Sequence, residues 1–115
     1  MTEQITVLQQ DKITTIHIRG QFIGGDETDA LREEFKNLMQ HDKPLVAVDL
    51  HEVSYLNSTA LGVFISAHAN FSKRGGRIAL CNISKNIENI FVITKLNLVF
   101  EMFPTLEEAI NQFSL

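Results

Sequence analysis

Apolar and polar positions alternate one by one at the start of the chain and then fall into helical spacing. Ile5 and Val7 stand between polar neighbours, Gln9 to Lys12 makes a polar turn, and Ile16 and Ile18 alternate with Thr15, His17 and Arg19 within 13–20. A period of two marks strands, so this stretch predicts a strand pair. Gly24 and Gly25 break the alternation, and Asp26 follows as an expected N-cap, with Glu27 and Asp29 suiting the positive end of a helix. Leu31, Phe35, Leu38 and Met39 then recur on one helical face to about Gln40, and Lys43 and Pro44 end the run.

Leu45 to Val48 is continuously apolar and short, as a central strand covered on both faces should be, and Asp49 and Leu50 close it. A second helix is expected from about Ser58 to Lys73, stopped by Gly75 and Gly76. In it Ala60, Gly62, Ser66, Ala67 and Ala69 allow close approach to the sheet, while Leu61, Phe64, Ile65 and Phe71 supply bulk. Ile78 to Cys81 predicts another buried strand. Ser84 caps a third helix carrying Ile87, Ile90, Phe91 and Thr94, with Asn97 at its left-handed end, and Val99 to Phe103 reads as strand. Thr105 to Glu108 has the form of a capping box, opening a last helix that turns Leu106, Ala109, Ile110 and Phe113 to the core. Strands alternating with helices in this way imply an α/β domain with a mostly parallel sheet of about five strands, about four helices and an antiparallel edge.

Composition narrows the function. A chain of 115 residues suits a single domain over 1–115, and 44% hydrophobic with 21% charged residues is ordinary globular usage. The net charge is -4 and the basic residues are scattered, so the concentrated basic stripe that nucleic-acid binding needs is missing. Cys81 is the single cysteine, which leaves no internal disulfide and no thiolate metal cage. Met1 to Gln10 does not read as a signal peptide, no apolar run approaches the roughly 18 residues of a membrane span, and a cytoplasmic location is expected.

The most informative stretch runs from Asp49 to Gly62, joining a buried strand to a helix start at the sheet edge where α/β proteins usually take ligands and partners. Asn57 or Ser58 falls at the N-cap, where a side-chain oxygen accepts an otherwise unpaired backbone N–H. Taken alone, this describes a capped, close-packed helix.

The same stretch resembles the switch segment of the STAS domain, named for sulphate transporters and anti-sigma factor antagonists. That segment reads Asp, apolar, any, any, Val, any, aromatic or apolar, apolar, Asp, Ser, Ser, Gly, Leu, Gly. The chain agrees at Asp49, Leu50, Val53, Tyr55, Leu56, Ser58, Leu61 and Gly62, and departs at Asn57, Thr59 and Ala60. The likeness spans nearly the whole chain and is greatest to free-standing bacterial anti-sigma factor antagonists. It implies a partner-switching regulator that binds an anti-sigma factor with serine kinase activity. Phosphorylation releases the partner, and a PP2C-type phosphatase resets the switch. The phosphoacceptor position falls on Ser58, with Thr59 as a second hydroxyl. The expected partner surface comprises Asn57, Ser58, Thr59, Tyr55 and Leu56, joined by Phe22 and Ile23 from the loop after the second strand. The resemblance also admits a constitutive, unphosphorylated adaptor subunit of a transport or sensory complex.

Other chemistry is poorly supported. His17, His41, His51 and His68 have no ligand spacing, so no metal is expected, and no cofactor either. His68 is expected to be packed and His51 solvated. No carboxylate pair has a defined partner for acid–base work, neither Gly-Gly pair is followed by Lys-Ser or Lys-Thr, and Ser58 lacks the surroundings of a nucleophile. A catalytic role is the least supported reading, with a nucleotide-binding or hydrolysing domain as a distant third option.

Overall fold

Residues 4–114 are described by a computed structural model of the chain. Two strands open it, β1 (Ile5–Gln10) and β2 (Ile13–Phe22), paired antiparallel across the Asp11–Lys12 turn, where Asp11 takes a φ of 56°. After α1 (Asp26–Leu38) the elements alternate: β3 (Leu45–Leu56), α2 (Ser58–Lys73), β4 (Arg77–Cys81), α3 (Lys85–Ile93), a 3-10 turn at Leu96–Leu98, β5 (Glu101–Phe103) and α4 (Leu106–Phe113). The sheet order is β1-β2-β3-β4-β5, and every pair after the first is parallel. This is the expected α/β fold with a five-stranded mixed sheet and four helices.

Register decides which face each strand residue serves. Ile16 pairs with Val48 and Val48 with Leu80, a row buried beneath α1, α2 and α3 together with Phe35, Phe64, Phe71 and Phe91. The intervening positions turn the other way. Ala47, Ala79 and Cys81 pack against Ala109 of α4, with Phe103, Leu106, Ile110 and Phe113 around them. Small residues on that face let α4 lie close to the sheet. Each of the largest buried side chains contributes roughly 1.5–3 kcal/mol through removal of apolar area from water.

Helix ends follow their caps. Ser84 Oγ accepts from Ile87 N at 3.3 Å, and Thr105 Oγ1 accepts from Glu108 N at 3.2 Å, so the donor-to-Thr105 half of the expected capping box is formed. The α2 C-terminus is a Schellman turn: Gly75 N donates to Ser72 O, Gly76 N to Phe71 O, and Gly75 sits at φ +74°. Gly76 also admits the chain against Pro44, whose carbonyl oxygen would lie 2.3 Å from any Cβ there.

Several expectations are corrected. The N-cap of α1 is Gly25, not Asp26, and no side chain of its own caps that end. The strand read as Leu45 to Val48 continues to Leu56, because β2 also runs on to Phe22 and pairs with it across two register shifts. The left-handed residue after α3 is Lys95 at φ 63°, while Asn97 lies inside the 3-10 turn. The expected strand from Val99 shortens to Glu101–Phe103, since Phe100 turns inward and is buried. Along α2, Ile65, Ser66 and Ala69 are exposed, so the buried stripe is made by Ala60, Leu61, Val63, Phe64, Ala67 and Phe71, and it packs on α1 as well as on the sheet.

Candidate functional site

The start of α2 is built by Asn57. Its Oδ1 accepts from Ala60 N at 3.0 Å, its carbonyl accepts from Leu61 N at 3.0 Å, and its own N–H donates to Phe22 O at 3.0 Å. One residue thus caps the helix and fastens that cap to the end of β2. Ser58 and Thr59 follow as the first two helical residues, both exposed. An anion at this place meets unpaired N–H groups and the positive end of the helix dipole, and α2 has no acidic residue in its first turn. Ala60, where the switch pattern has Gly, is fully buried.

A second segment flanks the first. The loop Ile23–Gly25 is fixed by side chains from α1: the Glu27 carboxylate accepts from Ile23 N at 2.9 Å, from Gly25 N at 3.0 Å and from the Thr28 hydroxyl, whose oxygen accepts from Gly24 N at 2.9 Å. Three successive backbone donors are so absorbed by two adjacent side chains. The Thr28 hydroxyl chiefly, with the Ile23 and Gly25 amides, holds the Glu27 carboxyl down at about 2 against the opposing effect of burial. Gly24, at φ +86°, faces Thr59.

Behind the site, Asp49 ties β2 and β3 to the residue that follows β4. Its carboxylate accepts from His17 Nδ1 at 2.9 Å, from Asn82 Nδ2 at 3.1 Å and from His51 N at 2.9 Å. His17 and Asp49 are register partners on β2 and β3, and Asn82, in the left-handed region, leaves β4. Burial first, and the Asp49 charge second, push the Cys81 thiol up to about 12.

The structure brings Asn57, Ser58 and Thr59 together and leaves Tyr55 and Ile23 about half exposed beside them. It withdraws two other residues expected at the surface. Phe22 is the last residue of β2, not a loop residue, and both it and Leu56 are buried in the core, where their apolar side chains belong. His68 is half-buried against the Phe100 ring, and His51 is exposed. Among the described residues no group of three His, Cys, Asp or Glu side chains is arranged to hold a metal ion, and no helix is long and apolar enough to cross a membrane. Sequence reasoning read Glu27 only as a helix-start acid. Its spacing two residues after Gly25 and four after Ile23 was the signal available. For Asp49 the signal was the parity of the strand pattern, which puts His17 and Asp49 on one face once the register is known.

A family model for the STAS domain matches residues 4–109. An anti-sigma-B factor antagonist of Bacillus subtilis (strain 168) is 30% identical over 111 residues, covering 96% of this chain and all of the relative. Among solved structures, an anti-sigma-factor antagonist (STAS) domain protein from Planctomyces limnophilus superposes with a TM-score of 0.84 at 20% identity, covering 96% of this chain and 98% of that one. The Bacillus cell fate determinant SpoIIAA in its phosphorylated form gives a TM-score of 0.74 at 16% identity, with 95% and 98% covered.

Proposed function

The chain belongs to the STAS domain family and is related to anti-sigma factor antagonists, and from that premise we propose that it is a partner-switching antagonist controlled by phosphorylation of Ser58. Unmodified, it binds an anti-sigma factor that is also a serine kinase. Modified, it lets that partner go until a PP2C-type phosphatase removes the phosphate. The observation that carries the reading is the exposed Ser58 hydroxyl at the first position of α2, held by a cap that leaves it outward.

The electrostatics support the same reading. A phosphate brings about -1.5 to -2 charges at neutral pH. The helix start tolerates that charge, so the domain keeps its fold, whereas an apolar or acidic surface docked over Ser58 does not. SpoIIAA, a solved neighbour of the same fold, is known in a phosphorylated form, which supports the same reading.

The test is intact mass after incubation with ATP and the anti-sigma factor kinase from the same genome. One added phosphate on the wild type, absent from Ser58→Ala, is expected. Persistence of the phosphate in Ser58→Ala and its loss in Thr59→Ala would move the acceptor to Thr59. No added phosphate on the wild type overturns the switch and favours a constitutive adaptor, a reading to which Asn57, in place of the pattern's Asp, already lends some weight.

A further inference from the structure

From Asn57 to Phe100 the chain carries five basic residues and one acidic residue, leaving five basic and thirteen acidic elsewhere. The stretch that contains Ser58 is therefore net positive within an acidic chain, with Lys73 and Arg74 at the far end of α2, Arg77 paired with Glu101, and Lys85 and Lys95 at the two ends of α3. It also carries the two most exposed large apolar side chains among the described residues. Ile93 is 80% exposed and Leu98 79%, with Val92 and Val99 about half exposed beside them.

These residues form one corner. Lys95 N donates to Val92 O, Leu98 N to Lys95 O and Phe100 N to Leu96 O, so the end of α3 folds directly into the 3-10 turn. Phe100 anchors the corner, edge-on to Phe91 at 5.8 Å and to Phe64 at 6.4 Å. Ile65, the next residue of α2 after Phe64, is also exposed. Ser58, Gly62 and Ile65 follow one helical stripe, and seven residues at 1.5 Å each put Ile65 about 10 Å along α2 from Ser58. Lys95 is the one charged residue from Asn89 to Phe100.

We propose that this corner is a second docking point for the protein that covers Ser58, receiving an amphipathic segment whose apolar side chains enclose Ile93 and Leu98 and whose acidic side chain meets Lys95. The inference rests on the reading that the chain binds an anti-sigma factor, and it adds where most of the affinity arises. Protruding aliphatic side chains gathered at one corner of a small protein mark an interaction site, and two of them flanking one cation in the chain point to an apolar, acidic counterpart. The division of labour is physical: the corner supplies apolar burial in both states, and the Ser58 phosphate removes enough of the total to release the partner. An acidic partner also explains why added negative charge at Ser58 repels it.

Binding of the anti-sigma factor kinase from the same genome is measured by calorimetry for wild type, Ile93→Ser, Leu98→Ser, their double variant, Lys95→Glu and Ser58→Asp. Each single corner change is expected to weaken binding about tenfold, and the double change about a hundredfold. Lys95→Glu weakens it most at low salt. The factor lost on Ser58→Asp stays the same with or without the corner changes if the two points contribute independently. Unchanged melting temperatures show that the variants are folded, as expected for side chains so exposed. Wild-type binding with full affinity in both the double variant and Lys95→Glu overturns the corner and leaves the Ser58 reading standing. Corner variants that weaken binding while Ser58→Asp does not overturn the switch and keep the corner. A wild type that does not bind overturns both. A dimer in sedimentation that the double variant abolishes, or flotation with phosphatidylglycerol vesicles that it abolishes, assigns the corner to a second copy or to a lipid surface and overturns the proposal.

Discussion

Gly24 lies against Thr59 so closely that a Cβ on it would come within 3.4 Å of the Thr59 Cβ. The φ of +86° at Gly24 is one that side-chain-bearing residues rarely adopt. Gly24→Ala therefore meets backbone strain, with its methyl group packed against Thr59, and it should lower stability by about 1–2 kcal/mol. The loop's displacement from Thr59 should appear as amide chemical-shift changes at Asn57, Ser58 and Thr59. Confinement of the shifts to residues 22–28 would show that the loop and the helix start are not coupled.

Asn57→Ala removes the bond to Ala60 N and should cost about 1 kcal/mol, a fall of about 4 °C or more in the thermal midpoint. Asn57→Asp keeps the cap and adds a charge that the helix dipole favours, so its midpoint should equal or exceed that of the wild type. An aspartate variant as unstable as the alanine variant would mean that the amide group, not the cap oxygen, matters.

Much of this fold could be read from periodicity, because Ile16, Ile18, Leu31, Phe35 and Phe71 lie on the faces their spacing assigns. What could not be read depends on pairing across the sheet. The extension of β3 from Val48 to Leu56 exists because β2 runs beside it, and the local sequence His51-Glu52 carries no strand signal of its own. The position of Ser58 at a helix start followed from its neighbours, whereas the burial of Phe22 and Leu56 did not, since a buried and a docking apolar side chain look alike in sequence. Lys95 in the left-handed region, in place of Asn97, reflects the core's demand for Phe91 and Phe100 overriding a local preference.

Cys81 is fully buried, its Sγ directed at Val48 O at 3.6 Å, with its thiol pushed up to about 12. The thiolate is the reactive form, so the native protein at about pH 8 should resist iodoacetamide and incorporate one equivalent only when unfolded. Alkylation of the native chain at the rate of a free thiol would show that α4, which covers Cys81, opens from the sheet.

Glu27 makes the Ile23–Gly25 loop sensitive to acid. Its carboxyl titrates at about 2 in the folded chain, below the ordinary value of 4.5. The charged form is thus the one the folded state prefers, and its contribution to stability is fully present above about pH 4.5. That contribution fades as pH falls from there towards about 2, where protonation weakens the acceptor for the Ile23 and Gly25 amides. Glu27→Gln has no such charge to lose. Its denaturation midpoint should lie below that of the wild type at neutral pH, and the gap should narrow as pH drops through this window. Amide exchange of Ile23 and Gly25 should follow the same course, slow in the wild type at neutral pH and faster in the variant. A gap in midpoint that stays constant down to about pH 2 would show that Glu27 holds the loop through its shape alone.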